Sequence, residues 1–302
     1  MLINWLNSLP GAAGLGIIWG IMAIGLYISY KILDFSDLTV DGSICTGAAV
    51  CAVLVTNGIP VAVSMLVATI AGMLTGLVTG LFHTLMGIPA ILSGILTQLI
   101  LWSVNLKIMG KSNIAIPGRT YDLLVTLGNP LNAILVLSIF VIVLVGILYC
   151  FFGTELGTAL RATGNNPNMS RAQGININFT KVLGLMLSNG VVALSGSLLA
   201  QYNGAADINM GRGAIVIGLA AIIIGEGLFA KLSKNFAFRL IGVMLGGVIY
   251  YFVYQTVIFL GLDTDLLKML SAIVVAVFLA VPYWKKTYFT KPIKHTGGDK
   301  NA

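Results

Sequence analysis

The sequence predicts an all-α polytopic membrane protein with about nine transmembrane helices, eight to ten by its apolar runs. Three observations lead there. Of the 302 residues, 58% are hydrophobic and only 9% charged, and the mean hydropathy is +0.98; a soluble core could not hide that much apolar surface. Runs of roughly 20 apolar residues, the length a helix needs to cross a bilayer, recur along the whole chain. The 36 glycines fit the same class, because small residues let membrane helices approach closely where lipid offers no hydrophobic drive to associate.

The runs lie near residues 12–32, 42–57, 61–82, 89–107, 131–152, 179–201, 213–230, 236–260 and 265–284. The second and seventh are short enough to be broken or re-entrant. No Lys or Arg precedes Lys31 and the first run is too long for a signal-peptide core, so the first span is expected to be retained. The three cysteines, Cys45, Cys51 and Cys150, lie inside apolar runs without a CxxC, and read as small buried hydrophobes rather than a disulfide or zinc framework.

Charge sets the expected orientation. With the N-terminus outside, Lys31, Arg161, Arg171, Lys181, Lys231, Lys234, Arg239, Lys285, Lys286, Lys291, Lys294 and Lys300 fall in the cytoplasm, 12 of the 17 basic residues. Lys107, Lys111, Arg119, Arg212 and Lys268 fall outside, so the positive-inside rule predicts N-out, C-in. The net charge of +7 is dispersed singly or at span ends, not striped with aromatics, and gives no reason to expect nucleic acid.

An internal echo suggests an inverted-topology repeat. Asp37-Leu-Thr-Val-Asp-Gly42 opens the second span and Asp207-Ile-Asn-Met-Gly-Arg-Gly213 opens the seventh, five spans apart. An odd offset reverses orientation, the arrangement in which broken helices line a path near the midplane. The alternative is that Asp and Asn simply cap helix starts.

The polar stretch Gly157 to Ile175 stands between two apolar runs. Residues 153–163 read as a prolongation of the fifth span, with Gly164 as its left-handed stop. Asn166 is a favoured N-cap and Pro167 suits the first helical turn, so a helix over 167–173 ended by Gly174 is predicted. Taken alone, such a stretch is also compatible with an ordinary amphipathic loop.

This run resembles the cytoplasmic loop of permeases of ATP-binding-cassette importers of the branched-chain amino acid and ribose type. Their pattern Gly-x-x-x-Arg-Ala-x-Gly-x-Asn-Pro-x-x-x-Arg-x-x-Gly-Ile is matched at Gly157, Arg161, Ala162, Gly164, Asn166, Pro167, Arg171, Gly174 and Ile175. Gly76-Leu-Val-Thr-Gly80-Leu, Ile88-Pro89-Ala90-Ile91-Leu92, and Asn209-Met210-Gly211 before Gly218 to Gly225 extend the likeness over nearly the whole chain, in order. Ile-Gly225-Glu226 with Ile88 to Gly94 is most similar to the Gram-positive permeases assigned to tryptophan or tyrosine import.

The resemblance implies one permease domain over 1–302, with a coupling loop at 153–176 and a cytoplasmic tail at 285–302. It implies a multi-pass protein of the bacterial cell membrane and a second permease chain, with a homodimer expected. An ATPase pair that alone binds ATP and Mg, and an extracytoplasmic substrate-binding protein, complete the expected assembly; the chain itself needs no cofactor. The 167–173 helix would be the coupling helix, with Gly157, Arg161, Gly164, Asn166, Pro167, Arg171 and Gly174 forming the contact. The expected solute is an amino acid, aromatic or branched, with simple sugars or nucleosides next; an ion-coupled secondary transporter is the rival class.

For the path or gate, Asp41, Asn189, Asp207 and Glu226 are the candidates. Glu226 is the acid set deepest in a predicted span, and membrane charge is a functional hypothesis by default; pairing with Lys231 or an interface role is the simpler expectation. Asn189 is expected either to bond across helices or to line the path. Capping is the simpler role for Asp41 and Asp207.

Other signals are weak. Gly110-Lys111-Ser112 lacks the first glycine of a phosphate-binding loop, since position 105 is Asn105. The sequons at Asn168 and Asn178 fall in the predicted cytoplasmic stretch. Ser93 and Ser195 lack the glycine two residues upstream expected of an intramembrane serine nucleophile, and no HExxH for metal hydrolysis occurs. His83 reads as interfacial and His295 as a tail residue. Trp5, Trp19, Trp102 and Trp284 read as an aromatic belt rather than a ligand cage.

Overall fold

In the computed structural model, residues 2–229 and 235–259 are described, with isolated helical positions from 269 to 280. The ninth expected span, the 285–302 tail, Lys231 and Lys234 lie outside the described residues. Ten helices are found within them: α1 Leu2–Tyr27, α2 Val40–Thr56, α3 Val61–Thr84, α4 Ala90–Met109, α5 Pro130–Gly153, α6 Glu155–Asn165, α7 Pro167–Ala172, α8 Ile177–Asn203, α9 Ala214–Phe229 and α10 Phe236–Phe259. A π-helical turn, Ile28–Ile32, prolongs α1. Six of the helices are long and apolar enough to cross a membrane, α2 and α9 being apolar but shorter.

The all-α expectation needs one correction. β1 Asn113–Ala115 and β2 Ala205–Asp207 pair antiparallel, Ile114 opposite Ala206. Left-handed glycines, Gly110 and Gly204, end α4 and α8 at this same end of the bundle. The chains leaving them carry unpaired backbone groups that satisfy each other as a ladder. The chain therefore has a strand end and, opposite, an α7 end.

Burial ranks the helices. The apolar windows of α1 and α8 are 83% and 72% buried, against 28% for α4 and α5, so α1 and α8 form the centre. They run antiparallel, joined by a ladder repeating every seven residues. Tyr202 OH donates to the Gly11 carbonyl at 3.0 Å, Ser195 Oγ to Ile18 at 2.7 Å and Ser188 Oγ to Gly25 at 2.8 Å. That spacing keeps one face of each helix against the other, and hydroxyl-to-backbone bonds replace the hydrophobic drive that lipid withholds.

α3 also packs antiparallel on α8, with Gly72, Gly76 and Gly80 set against Ala193, Leu185 and Val182. α2 runs parallel to α8, Ser43 bonding Asn189 near its start and Cys51 meeting Gln201 further on, with Gly47 and Gly196 letting the two backbones close where they cross. α9 follows α1 downward, Gly218 against Met22 and Leu26. Since α1 and α8 are antiparallel, α2 and α9 point in opposite directions.

Their N-termini meet inside the bundle. Ser43, in the first turns of α2, bonds Asn189, which is midway along α8. Each short helix is reached by a non-helical segment, residues 33–39 for α2 and 208–213 for α9. At about 1.5 Å per residue, 17 and 16 residues reach only about 25 Å, less than a bilayer core of about 30 Å. The second and seventh runs are thus the two short apolar helices among the described residues, as the sequence led one to expect.

Candidate functional site: the coupling helix and the polar interior

The 153–176 stretch is two helices rather than a prolonged span. α5 stops at Gly153; Thr154 is extended and its Oγ1 accepts the Gly157 N–H at 3.3 Å, capping α6 as a new helix. Gly164 lies inside α6 at helical angles and is no left-handed stop. Its missing Cβ makes room for the Ile32 carbonyl, against which α6 packs. Gly157 similarly sits on the backbone of Phe151 and Phe152.

Asn166 separates α6 from α7 and caps the latter, its Oδ1 accepting the Met169 N–H at 3.1 Å. Pro167 holds the first position, and Gly174 follows the end with φ +81°. Asn176 repeats the device, accepting from Phe179 N–H at 3.1 Å to start α8. The result is a six-residue helix, Pro167–Ala172, capped at both ends.

The two arginines of this region are placed differently. Arg161 stacks over the Phe236 ring at 4.3 Å and the Phe152 ring at 5.1 Å, tying α6 to α10 and α5. Its partial burial lowers the pKa from the ordinary arginine value, although a guanidinium stays charged at any physiological pH. Arg171 is exposed on α7. Beside it Met169 is 53% exposed, a large apolar side chain that sequence reasoning passed over. Its signal was an apolar residue in the middle of a polar helix. Next to α6 lies a cavity of about 660 Å³ lined by Tyr30, Lys31, Asp34, Arg161 and Arg239.

In the interior, Asn189 is fully buried and saturated. Its Nδ2 donates to Asp37 Oδ2 at 2.7 Å and to the Leu185 carbonyl at 3.0 Å, and its Oδ1 accepts from Ser43 Oγ at 2.6 Å. Ser43 bonds Thr75 at 2.7 Å. Thr39 bonds Thr79 at 2.7 Å, and Thr79 bonds Thr97 at 3.0 Å. Asp37, 1% exposed, also accepts from Thr39 N–H at 2.9 Å. This network joins the start of α2 to α3, α4 and α8. Of the two roles open to Asn189, the geometry is that of the cross-helix bond. Asp37 was legible only as part of the Asp37 to Gly42 motif, because nothing local shows that it is buried.

Asp41 caps a helix other than its own. Oδ2 accepts Gly213 N–H and Oδ1 accepts Ile215 N–H, both at 3.0 Å, so it supplies the N-cap of α9. Cys45 Sγ reinforces the junction, donating to the Ile208 carbonyl at 3.3 Å and accepting Gly211 N–H at 3.2 Å. Asp207 Oδ1 accepts Asn209 N–H at 2.7 Å, the same two-residue turn that Asp37 makes with Thr39.

Glu226 pairs at 3.2 Å with Lys31 of the π-helical turn that prolongs α1; Lys231, the partner expected from the sequence, lies outside the described residues. His83, taken as interfacial, holds Ile88 O at 2.9 Å through Nδ1 and meets Lys181 Nζ at 3.1 Å through Nε2. The lysine can only donate, which assigns the proton to Nδ1. Trp19, read as a belt residue, is 7% exposed and stacks on Tyr251. Cys45 and Cys51 are buried as expected, but Cys150 is exposed on α5.

A helical bundle with six helices long and apolar enough to cross a membrane among the described residues is the architecture of a multi-pass membrane protein, and the sequence places it among known permeases. Residues 9–281 match the family described as branched-chain amino acid transport system, permease component, and the chain belongs to that family. It is 43% identical over 264 residues to a tyrosine transport system permease protein of Clostridioides difficile, covering 87% of this chain and 88% of that one. It is 26% identical over 155 residues to the ribose import permease protein RbsC of Escherichia coli K12, covering 51% and 47%. Among solved structures, PsaBC from Streptococcus pneumoniae in complex with Fab superposes with a TM-score of 0.52 over 94% of this chain and 95% of that one. Their identity is 14%, so that likeness shows the fold alone.

Proposed function

We propose that the chain is the permease subunit of an ATP-binding-cassette importer for an amino acid, aromatic or branched-chain, in the bacterial cell membrane. It would stand N-out and C-in and pair with a second copy of itself. The solute would come from an extracytoplasmic binding protein and pass between the broken helices. The name of the tyrosine permease relative supports the solute class, and the basic residues at the α7 end support the orientation. The matched turns at Asp37 and Asp207, with the opposed α2 and α9, support an inverted repeat.

The observation that carries the reading is α7. A short helix capped by Asn166 and Gly174 moves as a rigid piece, and it presents Met169 and Arg171 outward. An apolar knob beside a guanidinium suits a groove with carboxylates on a soluble partner. Gly157, Gly164, Asn166, Pro167 and Arg161 then serve by building and holding that helix. Such a surface is what an ATP-driven transporter needs and an ion-coupled one does not.

The test is to purify the chain from its native membrane in mild detergent, without crosslinking, and identify what accompanies it by mass spectrometry. A stoichiometric soluble ATPase is expected, lost in the Met169→Asp, Arg171→Glu double variant. A chain that emerges alone and intact sinks the reading.

A further inference from the structure

A cavity of about 270 Å³ opens between α2, α4 and the 208–213 turn, beside the meeting point of the two half-helices. Its lining includes Asp41, Gln98, Leu99, Trp102, Asn105 and Arg212. Two of these groups are unfinished. Asn105 is 1% exposed; its Nδ2 makes a long bond of 3.5 Å to the Gly42 carbonyl, and its Oδ1 has no hydrogen-bond partner. Buried acceptors are rarely left unmade, and one that lines a cavity asks for a donor from outside the chain. Arg212 lines the same cavity from the turn that leads into α9; it is exposed and forms no ion pair among the described residues, so its guanidinium can meet an anion that enters the cavity.

We propose that this cavity is a solute subsite that holds an aromatic α-amino acid as its zwitterion. The carboxylate lies on the Arg212 guanidinium, the ammonium on Asn105 Oδ1 and Asp41, and the ring on Trp102 and Leu99. Each part follows from the lining. One cation and one anion in the lining match a zwitterion and leave no net charge. Asp41 spends one lone pair per oxygen on the α9 amides and keeps acceptor capacity for an ammonium. Trp102 is 45% and Leu99 64% exposed, forming an apolar wall on which a planar side chain can stack. The volume lies at the lower limit of small-molecule pockets, roughly 300 Å³, which suits one amino acid. A sugar would leave the guanidinium without an anion.

The inference rests on the importer reading, and the two are scored separately in one preparation. The detergent-purified complex is tested for equilibrium binding of radiolabelled L-tyrosine. Tyramine, which lacks the carboxylate, 3-(4-hydroxyphenyl)propionate, which lacks the ammonium, and ribose are the competitors. Saturable tyrosine binding is expected, with both truncated compounds roughly tenfold weaker or worse, as loss of a charged hydrogen bond implies. Arg212→Gln should erase the preference for tyrosine over tyramine, and Asn105→Leu should reduce the preference over the propionate, Asp41 keeping the rest. Trp102→Ala should weaken both truncated compounds along with tyrosine. Arg212→Lys, which keeps the charge, should retain the preference over tyramine and serves if Arg212→Gln does not fold. Absence of saturable binding, binding unchanged in the variants, or displacement by ribose overturns the subsite. Retention of the ATPase in the same sample reports on the importer reading alone.

Discussion

Asp41 Oδ2 accepts the backbone N–H of Gly213 at 3.0 Å, so a carboxylate in the first turn of one half-helix caps the start of another 172 residues away. With Ile215 N–H on Oδ1, two of the amides that a helix start leaves without partners are satisfied. The negative charge also meets the positive end of α9. Asp41→Ala should lower stability by about 1–2 kcal/mol, the usual cost of a lost N-cap. The melting temperature of the detergent-solubilised chain, followed by size-exclusion chromatography, checks this; an unchanged melt would show that the junction is held by other contacts.

The Asn189 hub should be more sensitive. Replacing it by Ala removes a donor from the buried Asp37 carboxylate, which is left with Thr39 alone, and removes the Ser43 contact, a loss of about 3 kcal/mol. Asp37→Ala alone should cost a similar amount, and the double variant less than the sum, because the second change removes the group that the first left short of a donor. Additive losses in thermal melts would mean that the two residues do not act together.

Arg161 and Arg171 should separate stability from association. Arg161→Gln removes a cation lying over two rings and should lower stability by roughly 1 kcal/mol. Arg171 is exposed and faces the like charge of Lys181, so Arg171→Glu should leave the melt at or slightly above that of the native chain while the ATPase is lost on purification. A stable Arg161→Gln chain would refute the stacking role.

Gly164→Val puts a branched side chain where the Ile32 carbonyl lies. Overpacking of this sort costs about 1–3 kcal/mol and would push α6 off the end of α1. The expected phenotype is ATPase that still binds but no longer drives uptake in proteoliposomes, since α7 remains whole. Uptake at the native rate would show that α6 is not the lever.

Glu226→Gln should do little. Its partner Lys31 is half exposed, with side-chain exposures of 50% and 29% for the pair, and ion pairs of that kind contribute about 0–1 kcal/mol. A change in uptake larger than about threefold would return Glu226 to the path.

What could be read locally was read well. The hydropathy runs located the eight apolar helices of the described region, because each span must satisfy its own backbone and turn apolar side chains outward over a fixed length. The cap at Asn166, the proline after it and the left-handed Gly174 were legible because capping depends on residues within one turn. Gly164 was misread: a glycine needed for close packing and one needed for a left-handed turn look alike in a sequence. The break at Thr154 was missed although Gly153 and Thr154, a residue type that caps helix starts, mark it in the sequence; the same residues also fit a helix that simply runs on into water.

By itself, then, the sequence determined the membrane class, the positions of the eight apolar helices among the described residues and the short capped helix, all of which follow from interactions within a few residues. The tertiary structure alone decided that Asp41 caps α9, that Asn189 holds Asp37, that Arg161 lies over Phe236 and that Asn105 and Arg212 face one cavity. Those pairings join residues far apart in the chain, and a side chain's chemistry says what it can bond but not which distant backbone will be brought within 3 Å of it.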